Sequence, residues 1–116
     1  MATDVRTHRL PRIVIEPHQW QELSAIFERY APGRRIWAFG SRATGRRVRR
    51  FSDLDIALEG EGLSFDQMAS LHDALDESRL PFKVDVVQIE TLTPEFKARI
   101  MPEMVLVQEP NGGSHG

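Results

Sequence analysis

Cysteine is absent from this chain, which excludes disulfide frameworks, thiolate zinc sites and cysteine nucleophiles. No run approaches the roughly 18 apolar residues that a membrane-spanning helix needs. The opening residues, MATDVRTHRLPR, carry charge but no apolar segment, so no secretory signal is expected and the cytoplasm is the expected compartment. Histidine is scarce: His8, His18, His72 and His115 have no metal-ligand spacing to one another, and no Ser-His-Asp arrangement can be argued from them. His72, on an acidic stretch, reads as a surface residue. Length is short too. At 116 residues, with 41% hydrophobic and 28% charged, the chain has room for one ordinary globular domain and none for a second substrate domain.

What is present is unevenly placed. Fifteen basic and 17 acidic residues give a net charge of −2, but the two signs are segregated. Seven arginines (Arg34, Arg35, Arg42, Arg46, Arg47, Arg49 and Arg50) precede eight acids between Asp53 and Glu77, with no acid in the first block and no Lys or Arg in the second. Two solvated faces would account for this. So would a site that handles both phosphate and metal ions.

The periodicity predicts an α-β-β-α-β-α-β order. Trp20, Leu23, Ile26, Phe27 and Tyr30 recur at helical spacing after Pro17, and Pro32-Gly33 ends the helix. Ile36 to Phe39 reads as a buried strand, and the glycine- and arginine-rich stretch from Gly40 to Ser52 as loop or partial turn. From Asp53 to Glu59 the chain alternates, with Asp53, Asp55 and Ala57 on one face and Leu54, Ile56 and Leu58 on the other. Ser64 and Gln67 form a capping box for a helix to about Ser78, with Met68, Leu71 and Leu75 as its buried stripe. Phe82 to Gln88 alternates again, Thr93-Pro94 starts a short helix that Pro102 stops, and Met104 to Gln108 reads as a last strand. The expected architecture is α/β (α+β): a small mixed sheet with helices packed on one face. Residues 1–12 are expected to be a loose start, 13–109 the domain, and 110–116 a disordered tail. Trp20 and Trp37 are expected to be packed in the core.

Asp53 and Asp55, at i and i+2 on a strand, point the same way about 6–7 Å apart. Such a pair suits Mg²⁺, which takes a few carboxylates, waters and substrate phosphates. Asp85 sits on an otherwise apolar strand, so it needs a partner. If that strand neighbours the first, three carboxylates converge as a two-metal phosphoryl-transfer site requires. Just upstream, Gly40-Ser41 ends a strand and Gly45 follows, so backbone N–H groups and a serine hydroxyl can cradle an anion. Arg42, Arg46 and Arg47 are candidate phosphate partners. Alone, the turn is more often a plain strand ending and the arginine run a solvated loop, while Asp53 and Asp55 are as often solvated as functional. Their coincidence is what points to chemistry. Neither near-miss motif holds: Arg46 and Arg47 stand where a P-loop needs Lys and Ser/Thr, and Leu58 where a calcium loop needs glycine.

Gly40-Ser41-Arg42-Ala43-Thr44-Gly45, Ser52-Asp53-Leu54-Asp55-Ile56 and Val84-Asp85-Val86-Val87 together resemble the minimal nucleotidyltransferases (MNT) of the DNA polymerase β-like superfamily, over about residues 17 to 108. The resemblance implies the palm fold of that superfamily. It implies that Gly40 and Ser41 hold a nucleoside triphosphate, that Asp53 and Asp55 ligate two Mg²⁺ ions, and that Asp85 completes the site. Eleven residues separate Ser41 from Asp53, one more than the commoner form of the motif, which is expected to enlarge the arginine loop without moving either strand. Such proteins are antitoxins paired with an all-helical HEPN ribonuclease toxin, in characterised cases transferring AMP from ATP to a toxin tyrosine. A protein partner is implied by size as well, since a palm this small has little left to grip an acceptor. The competing reading is a non-catalytic antitoxin that neutralises its HEPN partner by binding alone. Direct nucleic-acid binding ranks below both, because the acidic front repels a polyanion. Homo- and hetero-oligomers both remain open.

Overall fold

Pro17 opens the first helix where its fixed φ suits a helical start, and the Glu16 N–H is held by Gln19 Oε1 at 2.9 Å. The computed structural model describes residues 10–110. Residues 1–9 and 111–116, where most of the loose start and the disordered tail are expected, lie outside the described residues. Helix α1 (Pro17–Tyr30) leads to strand β1 (Arg35–Phe39), a single helical turn α2 (Ser41–Thr44) and strand β2 (Leu54–Glu59). Helix α3 (Phe65–Asp76), strand β3 (Val84–Gln88), a 3₁₀ turn at Ile89–Thr91, helix α4 (Pro94–Ile100), a second 3₁₀ turn at Met101–Glu103 and strand β4 (Val105–Gln108) complete the order. The expected alternation is present, with α2 as the partial turn in the arginine-rich stretch.

The four strands lie in the order β3-β2-β1-β4. β1 is antiparallel to both β2 and β4, while β2 and β3 are parallel. A parallel pair needs a crossover, and α3 supplies it. Its start is the expected capping box: Ser64 Oγ accepts from Gln67 N–H at 3.1 Å, and Ser64 N–H donates to Gln67 Oε1 at 2.8 Å.

The main core lies between the sheet and the two long helices. Trp20, Leu23 and Phe27 of α1 and Leu71 and Leu75 of α3 bury against Ile36, Ala38, Leu54, Ile56 and Leu58. Helices on one face therefore describe the two long ones. The short α4 lies on the opposite face, where Ile100 and Phe96 cover Phe39, Ala57 and Val87. Phe39, Ala57 and Val87, brought together from three strands, make part of that face apolar, and apolar sheet surface must be covered. Trp37 packs there as well, its Nε1–H donating to Glu59 Oε1 at 2.7 Å. The front of the sheet is thus half apolar and covered, half acidic and open.

Candidate active site

Strand pairing assembles the acidic half. Register places Asp55 directly beside Asp85 on the parallel neighbours β2 and β3, about 4.8 Å apart across the ladder. Asp53 precedes β2 by one residue and is exposed. The alternation that buries Leu54 and Ile56 leaves Asp55 on the front face, half-buried. Burial, reinforced by the charges of Asp85, Asp53 and Glu103, raises the Asp55 carboxyl to about 6. The partner that Asp85 needs is Lys83, whose ammonium lies 3.5 Å from the Asp85 carboxylate.

Phe39 pairs with Asp55 across β1 and β2, so the residue after β1, Gly40, comes up against the Asp55 side chain. Gly40 has φ 79° and ψ −161°, a conformation essentially reserved for glycine. A β-carbon there would collide with the Asp55 carboxylate. The Gly40 carbonyl accepts from the N–H groups of Ala43 and Thr44, both at 3.0 Å, starting α2. Gly45 ends it in a left-handed conformation, with its N–H on the Ser41 carbonyl at 2.8 Å. Glycine–serine turn and acid pair thus meet at one end of the sheet.

Arg42 departs from its expected role. It is buried, 4% exposed, and its guanidinium donates to the carbonyls of Ser52 and Val14, each at 2.8 Å, and of Arg50 and Arg49 at 3.1 and 3.5 Å. It also stacks 4.1 Å above the Phe82 ring. Burial lowers its pKa, and Asp53 opposes that shift. These donors hold the loop and the segment around Val14 in place, so they are not offered to a phosphate. Val14 ends a bend over residues 12–14, and its N–H returns a hydrogen bond to the Arg42 carbonyl at 2.8 Å. Arg46, Arg47, Arg49 and Arg50 remain exposed, and Arg47 is the one non-glycine residue with positive φ among the described residues.

Sequence reasoning missed Glu103. It follows Pro102 in the second 3₁₀ turn, and its Oε1 accepts the Gly40 N–H at 2.8 Å. Only the pairing of β4 with β1 singles it out: Ala38 lies opposite Val105, and the same register continued two residues sets Glu103 alongside Gly40.

The donor set is all oxygen, and its negative charge exceeds what Lys83 offers. That suits a hard cation such as Mg²⁺. Among the described residues no three acidic or histidine side chains stand close enough to enclose an ion by themselves, so the expected convergence is looser than a closed cage. Mg²⁺ needs only one or two carboxylates when waters and substrate phosphates supply the rest. Asp53, Asp55 and Asp85 therefore fit it. Among the described residues no helix is long and apolar enough to cross a membrane.

Comparison with known proteins agrees with this fold. The model of the family described as "Polymerase beta, Nucleotidyltransferase" matches residues 21–111. The chain is 35% identical over 88 residues to a probable protein adenylyltransferase, MntA, of Haemophilus influenzae, covering 75% of this chain and 76% of that protein. A crystal structure described as a toxin–antitoxin with AMP-PNP superposes with a TM-score of 0.63 at 21% identity, over 82% of this chain and 77% of that one.

Proposed function

Because the chain belongs to the polymerase beta nucleotidyltransferase family and is a nucleotidyltransferase, we propose that it transfers AMP from ATP to a hydroxyl of a partner protein, in an Mg²⁺-dependent reaction that serves as an antitoxin. The acceptor in this reading is a tyrosine of a HEPN ribonuclease toxin. Support comes from the likeness to the MntA protein and to a toxin–antitoxin solved with AMP-PNP. The observation that carries the reading is the in-register pair Asp55 and Asp85 standing against the Gly40-Ser41 turn.

In this mechanism Gly40 and Ser41 bind the triphosphate, with Gly45 closing the turn. Asp53, Asp55 and Asp85 would hold two Mg²⁺ ions, whose positive charge would neutralise the phosphates and ease ionisation of the acceptor hydroxyl. Asp55 must be ionised to do so; with its carboxyl raised to about 6 it is charged at neutral pH, and a nearby cation would keep it charged at lower pH. The front face keeps the carboxylates in one orientation, so catalysis is mainly positioning and charge neutralisation. The partner brings the hydroxyl and covers the open end of the sheet. The cytoplasm, where ATP and a newly made partner are both at hand, is the compartment such a reaction requires.

The test is incubation of the purified protein with labelled ATP, Mg²⁺ and the product of the adjacent gene. Label should appear on the partner and vanish with Asp53→Asn or Asp55→Asn. Normal transfer by both variants would refute the mechanism. Neutralisation that survives loss of all three aspartates would instead favour occlusion by binding alone.

A further inference from the structure

We propose that Glu103 is a positioning residue of the nucleotide turn, a role that rests on the reading of Gly40-Ser41 as the triphosphate cradle. Three observations carry it. Glu103 Oε1 takes the Gly40 N–H at 2.8 Å across 63 residues of sequence, so the contact is tertiary and not part of a local turn. The Gly40 carbonyl is committed on its other side to Ala43 and Thr44. Both polar groups of a glycine that has no side chain of its own are therefore tied, which fixes the peptide planes on either side of it. Finally, Glu103 is itself held: the 3₁₀ turn ends at Glu103, and β4, pairing with β1 through Val105 and Leu106, begins two residues later.

Fixing Gly40 matters because the turn is crowded. Its α-carbon lies against the Asp55 carboxylate, so any rotation of the Gly40 peptide changes both the cradle and the carboxylate beside it. The Glu103 contact also leaves the cradle open. The N–H groups of Ser41 and Arg42 begin a helical turn and have no intrahelical acceptor, so a phosphate can take them while Glu103 keeps Gly40. The added charge has a cost, since Glu103 is one of the groups that raise the Asp55 carboxyl. An oxygen acceptor is what the turn needs from position 103; its charge is not.

That distinction gives the experiment. Binding of ATP with saturating Mg²⁺ is measured by calorimetry for the unaltered protein, Glu103→Gln and Glu103→Ala, with thermal unfolding of each alongside. The amide oxygen of Gln can still accept from Gly40, so Glu103→Gln should bind ATP within about threefold of the unaltered protein. Ala leaves the N–H without a partner, and affinity should fall about tenfold, the factor that corresponds to one hydrogen bond of ordinary net worth. In the transfer assay the Ala variant should raise KM for ATP far more than it lowers kcat. Glu103→Ala binding as well as the unaltered protein would overturn the proposal. So would Gln proving as weak as Ala, or both variants binding more tightly, which would make Glu103 an anion that the triphosphate displaces. If the unaltered protein binds no ATP, the cradle reading falls and this one with it; if it binds and only the variants disagree, the cradle stands and this role alone is lost.

Discussion

The carboxylate of Asp55 occupies the space that a β-carbon on Gly40 would need. The glycine of the turn and the acid of the strand are thus one steric unit. Gly40→Ala should disturb both, adding about 1–3 kcal/mol of backbone strain at a φ of 79° and pushing Asp55 off its position. Transfer should fall about 10²-fold, the scale expected of a displacement near 1 Å. Steady-state kinetics and urea unfolding of the same variant measure the two losses separately.

The raised pKa of Asp55 has a signed consequence for stability. Burial first, then Asp85, Asp53 and Glu103, lift it to about 6, so the folded state holds this proton more tightly than the unfolded chain. The stability that the protonated carboxyl contributes is complete below about pH 4, the ordinary carboxylate value, and is lost as pH rises through 6. Asp55→Asn should accordingly stabilise the metal-free protein at pH 8 by about 1 kcal/mol, a figure reduced for its partial exposure, and have little effect near pH 4. Urea melts at the two pH values check this, and Mg²⁺ should shrink the difference at pH 8.

Asp85 stands beside Asp55 in the ladder and is the second-largest cause of that shift, after burial. Asp85→Asn should lower the Asp55 midpoint, followed through its side-chain carboxyl resonance in metal-free protein. Transfer by this variant should fall at least about 10²-fold while the main core, on the other face of the sheet, keeps its thermal stability.

Arg42 should behave as a structural residue. Lysine cannot reproduce its planar fork of donors, and four carbonyls lose their partner together. Arg42→Lys should cost about 2–4 kcal/mol of stability, read by urea unfolding. KM for ATP, measured below the unfolding range, should move less than threefold.

Much of this was legible in the sequence because it rests on short-range patterns. Alternation from Leu54 to Leu58 revealed which face Asp55 occupies, and Ser64 with Gln67 revealed where the second long helix starts. The Gly40-Ser41 turn followed from a strand stopping at a glycine. Arg42 was misread because its neighbours in sequence are a glycine–serine turn and a basic loop, whereas its partners, Val14 and Phe82, lie 28 and 40 positions away. Glu103 was invisible for the same reason, since its importance lies in the pairing of β4 with β1. The position of α4 on the front face depended on recognising Phe39, Ala57 and Val87 as one patch, and they come from three strands.

The pairing of the last strand with the first has a consequence for how the protein comes into being. A ribosome that has released the chain only through β3 has already presented Gly40, Asp53, Asp55 and Asp85, yet β1 still lacks one neighbour and Gly40 lacks its acceptor. Only when residues 103–108 join the sheet is Gly40 braced, so a fragment that ends before Glu103 would carry the three aspartates beside an unbraced turn.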